Sequence, residues 1–189
     1  KQFSTSRGHV IYVQDVVARY GPDPIRYFIC AAGPENPDSD FSWKEFVQRN
    51  NSELVAGWGN LVQRTATMVA KSCGEIPEPD AVEPDDAELP TSVAAGFDTV
   101  RGLLARQRHK ADLAEVRRVV GEAHASVIRR GPRNPPGDRH AGRLGTVLHT
   151  LVQVVSDLNT MMSPFVPHSA NRVHAVIGGF HVVPPLGDD

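Results

Sequence analysis

The sequence is poor in cysteine and contains no long hydrophobic run. Its 189 residues include two cysteines, Cys30 and Cys73, which lie far apart, so we expect no disulfide framework and a reducing, cytoplasmic location. No run approaches the roughly 18 apolar residues that a membrane-spanning helix needs, so no membrane partner is expected. The eight histidines are scattered without a CxxC or HxxxH pair, which predicts no metal site.

Acidic and basic residues are unevenly distributed, although the formal net charge is only −2. Seven acids and no Lys or Arg lie between Glu75 and Glu88, whereas eleven Lys or Arg and four acids lie between Arg101 and Arg143. This basic stretch has two interpretations. It is either a solvated, charged helix face or a surface that binds a polyanion.

The first part of the chain predicts a short strand followed by a helix. The run HVIYV, residues 9–13, is typical of a strand, and GPDPIRYFICAAG is typical of a compact helix. Asp23 suits the N-cap of that helix, Pro24 its first position, and Gly33 the position after its end.

The rest of the chain predicts long amphipathic helices. Ser42 and Glu45 form a capping-box pattern for a helix that runs to about Ser72. An acidic, proline-rich linker over 74–90 follows it, and further helices are expected over about 91–108, 111–130, 144–162 and 167–177. Apolar residues at helical spacing define two buried stripes, which comprise Leu54, Trp58, Leu61, Thr65 and Met68, and Leu144, Leu148, Leu151, Val155, Leu158 and Met162. The predicted fold class is mainly α, an antiparallel helical bundle with a short strand-and-helix element at the N-terminus.

Four segments resemble class I methionyl-tRNA synthetases, in the same order. QFSTSRG looks like the KMSKS signature, and it is followed by YGPDPIRYFI with DSDFSW, RNNSELVAGWGNLVQRT and SPFVPHSANRVHAVIGG. The resemblance covers almost the whole chain. It implies a KMSKS-like loop and stem-contact element over 1–41, a helical anticodon-binding domain over 42–180, and a tail over 181–189. In the family, the N-terminal catalytic domain precedes this loop, and this sequence does not include it.

The resemblance also implies a role in ATP binding for the first residues. In the family, the KMSKS loop stabilises the ATP phosphates, and the parent enzyme uses ATP with Mg²⁺. Gln2 and Thr5 occupy the positions of the two signature lysines, and Lys1 lies one place earlier. The residues at the loop positions are Gln2, Phe3, Ser4, Thr5 and Ser6. We expect no cofactor to bind this chain alone, because a loop cannot hold ATP without the rest of its site.

A polar stripe on the long helix contains Asn60 and Arg64, whose i, i+4 spacing points both side chains the same way. Spacing alone favours a solvated helix face. The resemblance favours anticodon binding, because these two residues match the N-L-x-x-R motif of the family's anticodon-contacting helix. The family's base-stacking tryptophan, in a Pro-Trp pair, falls on Pro132-Arg133, so Arg133 replaces it. Trp58 lies in the apolar stripe and is predicted to be a core residue.

Together these features predict the tRNA-binding portion of a methionyl-tRNA synthetase, with tRNA(Met) and the missing catalytic domain as partners. The parent reaction is the ATP-dependent attachment of methionine to tRNA(Met), which this chain alone is not expected to catalyse. Two alternatives stay open. One is a stand-alone tRNA-binding module, and the other is a non-functional helical scaffold from a decayed synthetase paralogue.

Overall fold

A computed structural model of the protein describes residues 11–33, 41–80, 83–130 and 138–177. Most of these residues are helical. No helix in the described ranges is long and apolar enough to cross a membrane. The mainly α fold class is confirmed. The helices are α1 (Val13–Tyr20), α2 (Pro22–Ala32), α3 (Trp43–Arg49), α4 (Asn60–Ser72), α5 (Glu88–Leu104), α6 (His109–Arg130), α7 (Asp138–Met162) and α8 (Pro167–Ile177).

The strand predicted over 9–13 is wrong in the part that the structure describes. Ile11 and Tyr12 belong to neither a helix nor a strand, and Val13 begins α1. The reason lies in the next residues, where Val13, Val16 and Val17 recur at helical spacing, and Val16 is buried. A short valine-rich run therefore forms an amphipathic helix because one face of it has a partner to pack against.

Helix α2 begins at Pro22, two residues earlier than its sequence predicts. Gly21 has a φ of 79° and separates α1 from α2, and its N–H donates to the carbonyl oxygen of Val17 at 2.9 Å. Glycine adopts this left-handed conformation without steric cost. The predicted N-cap role of Asp23 is wrong, because Asp23 lies inside the first turn. Its buried carboxylate instead accepts hydrogen bonds from the backbone N–H groups of His168 (3.3 Å) and Ser169 (2.6 Å), in the first turn of α8.

The predicted long helix has the expected ends but is not α-helical throughout. Ser42 is its N-cap and accepts from the N–H of Glu45 at 3.4 Å, and its last residue is Ser72. Between α3 and α4, residues Asn50–Gly59 form a π-helix, here called the π segment. Gly59 fits this winding, because a Cβ added there would lie 3.1 Å from the carbonyl oxygen of Leu54, five residues back.

Two apolar clusters hold the structure together. The main core lies between α2, the long helix, α5, α6, α7 and α8, and it contains most of both predicted stripes, including Trp58 at 7% exposure. Met68 and Leu144 are half-buried at its edge. A small second cluster consists of Val16, Ile25, Phe28 and Phe46. Helix α2 therefore joins both clusters through opposite faces.

The acidic linker is attached to α7 rather than solvated along its length. The N–H of Asp80 donates to Thr146 Oγ1 at 2.9 Å, and His149 Nδ1 donates to the carbonyl oxygen of Pro77 at 2.9 Å. The helix expected from about residue 91 begins at Glu88, after a 3₁₀ turn over Pro84–Ala87. The helix expected over 144–162 begins six residues earlier, at Asp138, and the remaining helix bounds agree with the sequence within a few residues.

Candidate nucleic-acid interface

The polar side of α4 carries the two residues that the sequence selects. Asn60 and Arg64 are both exposed, and Leu61 and Thr65, about 100° further around the helix, are buried. Residues four apart project from the same side of a helix. Arg64 forms no ion pair with any residue that the structure describes. An amide and a free guanidinium are therefore presented to solvent together.

A groove of about 540 Å³ lies directly beside Asn60. It is bounded by the π segment, the start of α4, the start of α2 and the α7–α8 region. The amides of Asn50, Asn60 and Gln63 line it together with apolar side chains that include Val55, Pro24 and Val166. This mixture of apolar walls and a few amides is typical of sites that hold a planar, hydrogen-bonding group. The polar stripe of the sequence includes Asn50 together with Asn60, but it does not reveal Gln63 as part of the same wall, because the groove forms only when distant helices meet.

Helix α6 holds the π segment at two points. Arg117 Nη1 lies 2.6 Å from Glu53 Oε2, and His124 Nε2 donates to the carbonyl oxygen of Gly57 at 3.0 Å. From the first contact to the second, the residue number increases in both helices, so α6 and the long helix run in the same direction here. The end of α6 is therefore directed toward the α4 end of the long helix.

Glu53 is the centre of a polar network inside this region. It accepts from the hydroxyl of Tyr27 at 2.7 Å and from Arg49 at 3.1 Å, in addition to its ion pair with Arg117. Burial and the neighbouring Glu53 carboxylate raise the pKa of Tyr27 above its ordinary value, so this phenol stays protonated and donates. The network ties α2 and α6 to the π segment immediately before Asn60.

Four cations of the basic stretch pair with acids within the fold. Arg101 pairs with Asp98, Arg118 with Glu115 and Glu122, and Arg143 with Asp86 and Glu83. Arg117 pairs with Glu53, as described above. The excess of positive charge in the sequence therefore overstates what these helices offer to a polyanion. Several exposed cations have no ion pair to any described residue; these are Arg19, Arg26, Lys44, Arg64, Lys71, Arg106, Arg129 and Arg172.

The remaining predicted site residues lie outside the described part of the chain. These are the five loop residues Gln2, Phe3, Ser4, Thr5 and Ser6, and Arg133 in the segment that follows α6. Their roles stay predictions. Within the described ranges, no three His, Cys, Asp or Glu side chains come together as a metal ion requires.

Comparison with known proteins gives a consistent set of relatives. A family model described as "tRNA synthetases class I (M)" matches residues 1–66. The chain is 51% identical over 189 residues to methionine–tRNA ligase of Kineococcus radiotolerans, covering 98% of this chain and 31% of the relative. It is 53% identical over 186 residues to the methionine–tRNA ligase of Beutenbergia cavernae, covering 98% of this chain and 30% of that relative.

Solved structures agree with these relatives. The apo form of Mycobacterium tuberculosis methionyl-tRNA synthetase superposes with a TM-score of 0.80 and 27% identity, over 87% of this chain and 34% of that one. The same enzyme in complex with methionyl-adenylate gives a TM-score of 0.82 and 28% identity, over 90% of this chain and 34% of that one. The chain thus spans about a third of the length of the curated relatives it matches.

Proposed function

Because this chain belongs to the class I methionyl-tRNA synthetase family and matches its relatives over their C-terminal part, we propose that it binds the anticodon loop of a methionine tRNA. The observation that carries the proposal is the exposed Asn60–Arg64 pair at the edge of the groove. Unstacked loop bases are recognised by hydrogen bonds to their edges, and phosphates are bound by cations. The amide of Asn60 suits hydrogen bonding to a base edge, and the guanidinium of Arg64 suits binding to a phosphate.

The groove supports the same role. Its apolar side chains favour a base that has left the stack of the anticodon loop, and its amides donate and accept at the base edge. Arg64 lies one helical turn beyond Asn60, which suits contact with a phosphate of the same loop. We propose the CAU anticodon as the preferred ligand, since CAU is the anticodon of methionine tRNA.

The reaction of the whole protein is part of the proposal. We propose that this chain acts with a catalytic domain of the family type, which attaches methionine to tRNA(Met) with ATP and Mg²⁺ in the cytoplasm. The loop from Gln2 to Ser6 would lie against the ATP phosphates, where cationic and hydroxyl groups stabilise developing negative charge. Because Gln2 and Thr5 replace lysines, this loop contributes fewer charges than the family signature.

Competition binding of short RNA stem-loops to the 189-residue chain tests the anticodon proposal. We expect a CAU loop to bind more tightly than a UAU loop by about two- to tenfold; the preference is modest because Arg133 replaces a tryptophan whose stacking would add about 1–3 kcal/mol per base. Asn60→Ala should remove the preference. Arg64→Ala should weaken both loops alike and reduce the salt dependence by about one phosphate contact, a slope of about 0.7.

Arg106→Ala is the control for charge, because Arg106 is also an exposed arginine without an ion pair to any described residue. It should leave the preference and most of the affinity unchanged. Equal affinity for CAU and UAU loops in the unmodified chain would exclude anticodon reading and favour a general tRNA-binding module. Absence of binding at low salt would favour the non-functional scaffold.

A further inference from the structure

The carbonyl group of Gly57 occupies the junction between the π segment and α4. The backbone N–H of Asn60 donates to the carbonyl oxygens of Gly57, three residues back, and Val55, five residues back, at the residue where the π segment ends and α4 begins. The same Gly57 oxygen accepts from His124 Nε2 at 3.0 Å. His124 on α6 is therefore two hydrogen bonds away from the backbone of Asn60.

This junction sets the direction in which Asn60 and Arg64 project. An α-helix advances by about 100° per residue, so a change of one residue in the winding before Asn60 turns every later side chain by about that angle. Such a turn would move Asn60 away from the wall of the groove. π-helical segments are rare and occur most often at functional sites. The winding therefore needs support from outside the helix.

We propose that His124 is a positioning residue for anticodon recognition, which fixes the winding of the π segment by holding the Gly57 carbonyl group. This inference rests on the proposed function and adds a residue that does not itself contact the anticodon. The Arg117–Glu53 pair holds the same segment one turn earlier. His124 differs from Arg117 because it acts on the backbone at the π-to-α junction.

A matched control exists elsewhere in the chain. His149 on α7 donates from Nδ1 to the carbonyl oxygen of Pro77 at 2.9 Å, which is the same type of bond made to the acidic linker. Both histidines are half-buried. Loss of either bond should lower stability to a similar degree, but only the loss at His124 should change the presentation of Asn60.

The experiment compares His124→Ala, His124→Gln and His149→Ala in the full 189-residue chain. The first readout is the ratio of affinities for the CAU and UAU stem-loops. The second is amide hydrogen exchange of residues 55–64 in the absence of RNA, which reports local opening of the backbone. A typical hydrogen bond is worth a factor of about three to ten, so His124→Ala should bring the CAU preference close to one. Exchange of residues 55–64 should accelerate by a similar factor.

His124→Gln should restore both readouts in large part, because its amide nitrogen is a donor at a similar distance from the backbone. His149→Ala should leave both unchanged. The proposal is overturned if exchange of residues 55–64 is unchanged in His124→Ala, or if that variant weakens both loops equally at an unchanged ratio.

The two proposals can fail separately. If the unmodified chain shows no CAU preference, the proposed function is wrong, and hydrogen exchange alone then decides whether His124 holds the π segment. Accelerated exchange in His124→Ala would retain the positioning role, and unchanged exchange would exclude it.

Discussion

Asp112 makes the stability of this fold depend on pH in an unusual direction. It lies in the first turn of α6 with 0% exposure, and neither of its carboxylate oxygens has a hydrogen-bond partner among the described residues. Burial raises the pKa of this carboxyl from 3.8 to about 7, because an ionised group loses its hydration there.

The sign of the pH dependence follows from which state of the chain, folded or unfolded, holds the carboxyl proton of Asp112 more tightly. The unfolded chain releases it near pH 3.8 and the folded chain near pH 7, so folding is favoured most below the lower value. The free energy of unfolding then falls as the pH rises between the two pKa values, and it stays low above pH 7. Each pH unit in this window is worth about 1.4 kcal/mol. Ionisation of Asp112 therefore costs the folded state roughly 4 kcal/mol in all.

Asp112→Asn tests this reasoning, because the amide has the same shape and no charge in this pH range. We expect the stability of the original chain, relative to Asp112→Asn, to fall by about 2–3 kcal/mol between about pH 5 and pH 7. Urea denaturation of both proteins measures it, and the difference cancels contributions from the histidines. Asp98→Asn, which changes an acid at 75% side-chain exposure, is the control for the loss of a solvated carboxylate. Parallel pH profiles for the original chain and Asp112→Asn would refute the reasoning.

Two further predictions concern packing and the linker. Gly96→Ala should lower the free energy of unfolding by about 1–3 kcal/mol, because an added Cβ lies 2.9 Å from Cγ2 of Val119 on α6. Gly102→Ala in the same helix meets no atom within 4 Å and should be neutral or raise stability by up to about 1 kcal/mol; equal effects in urea denaturation would contradict the close helix contact. Arg143→Met should cost about 2–3 kcal/mol by leaving Asp86 buried without its main cation. Thermal denaturation of the double variant, Arg143→Met with Asp86→Asn, should show that at least half of the lost stability is recovered. No recovery would contradict a stabilising ion pair between Arg143 and Asp86.

The sequence predicts the long helices well because one local rule determines them. Leu148 and Leu158 belong to a 4-3 pattern that can bury a stripe only as a helix, and both are buried in the core. The last helix was predicted over 167–177, and α8 has those bounds. A proline at the first position and a periodic apolar face were sufficient for this prediction.

Features that depend on distant partners could not be predicted in this way. Asp23 has the residue type and position of a helix cap, but the helix whose N–H groups it accepts from is α8, far along the chain. Arg117 adds positive charge to a basic stretch in the sequence, but in the fold it pairs with Glu53. The motif around Asn60 and Arg64 was visible because it is local. The groove beside them and the bond from His124 depend on how the helices meet.

The contacts between α2 and the turn before α8 have a consequence for the order of folding during synthesis. Asp23 accepts from His168 across 145 residues of sequence, and Arg26 donates to the carbonyl oxygen of Pro164 at 2.8 Å across 138. A ribosome that adds about 5–20 residues per second takes roughly 7–30 s to cover that interval. During this time the polar groups of α2 remain hydrated, and its apolar faces lack α8 as a partner. Helix α2 therefore completes its packing only after α8 has emerged from the ribosome.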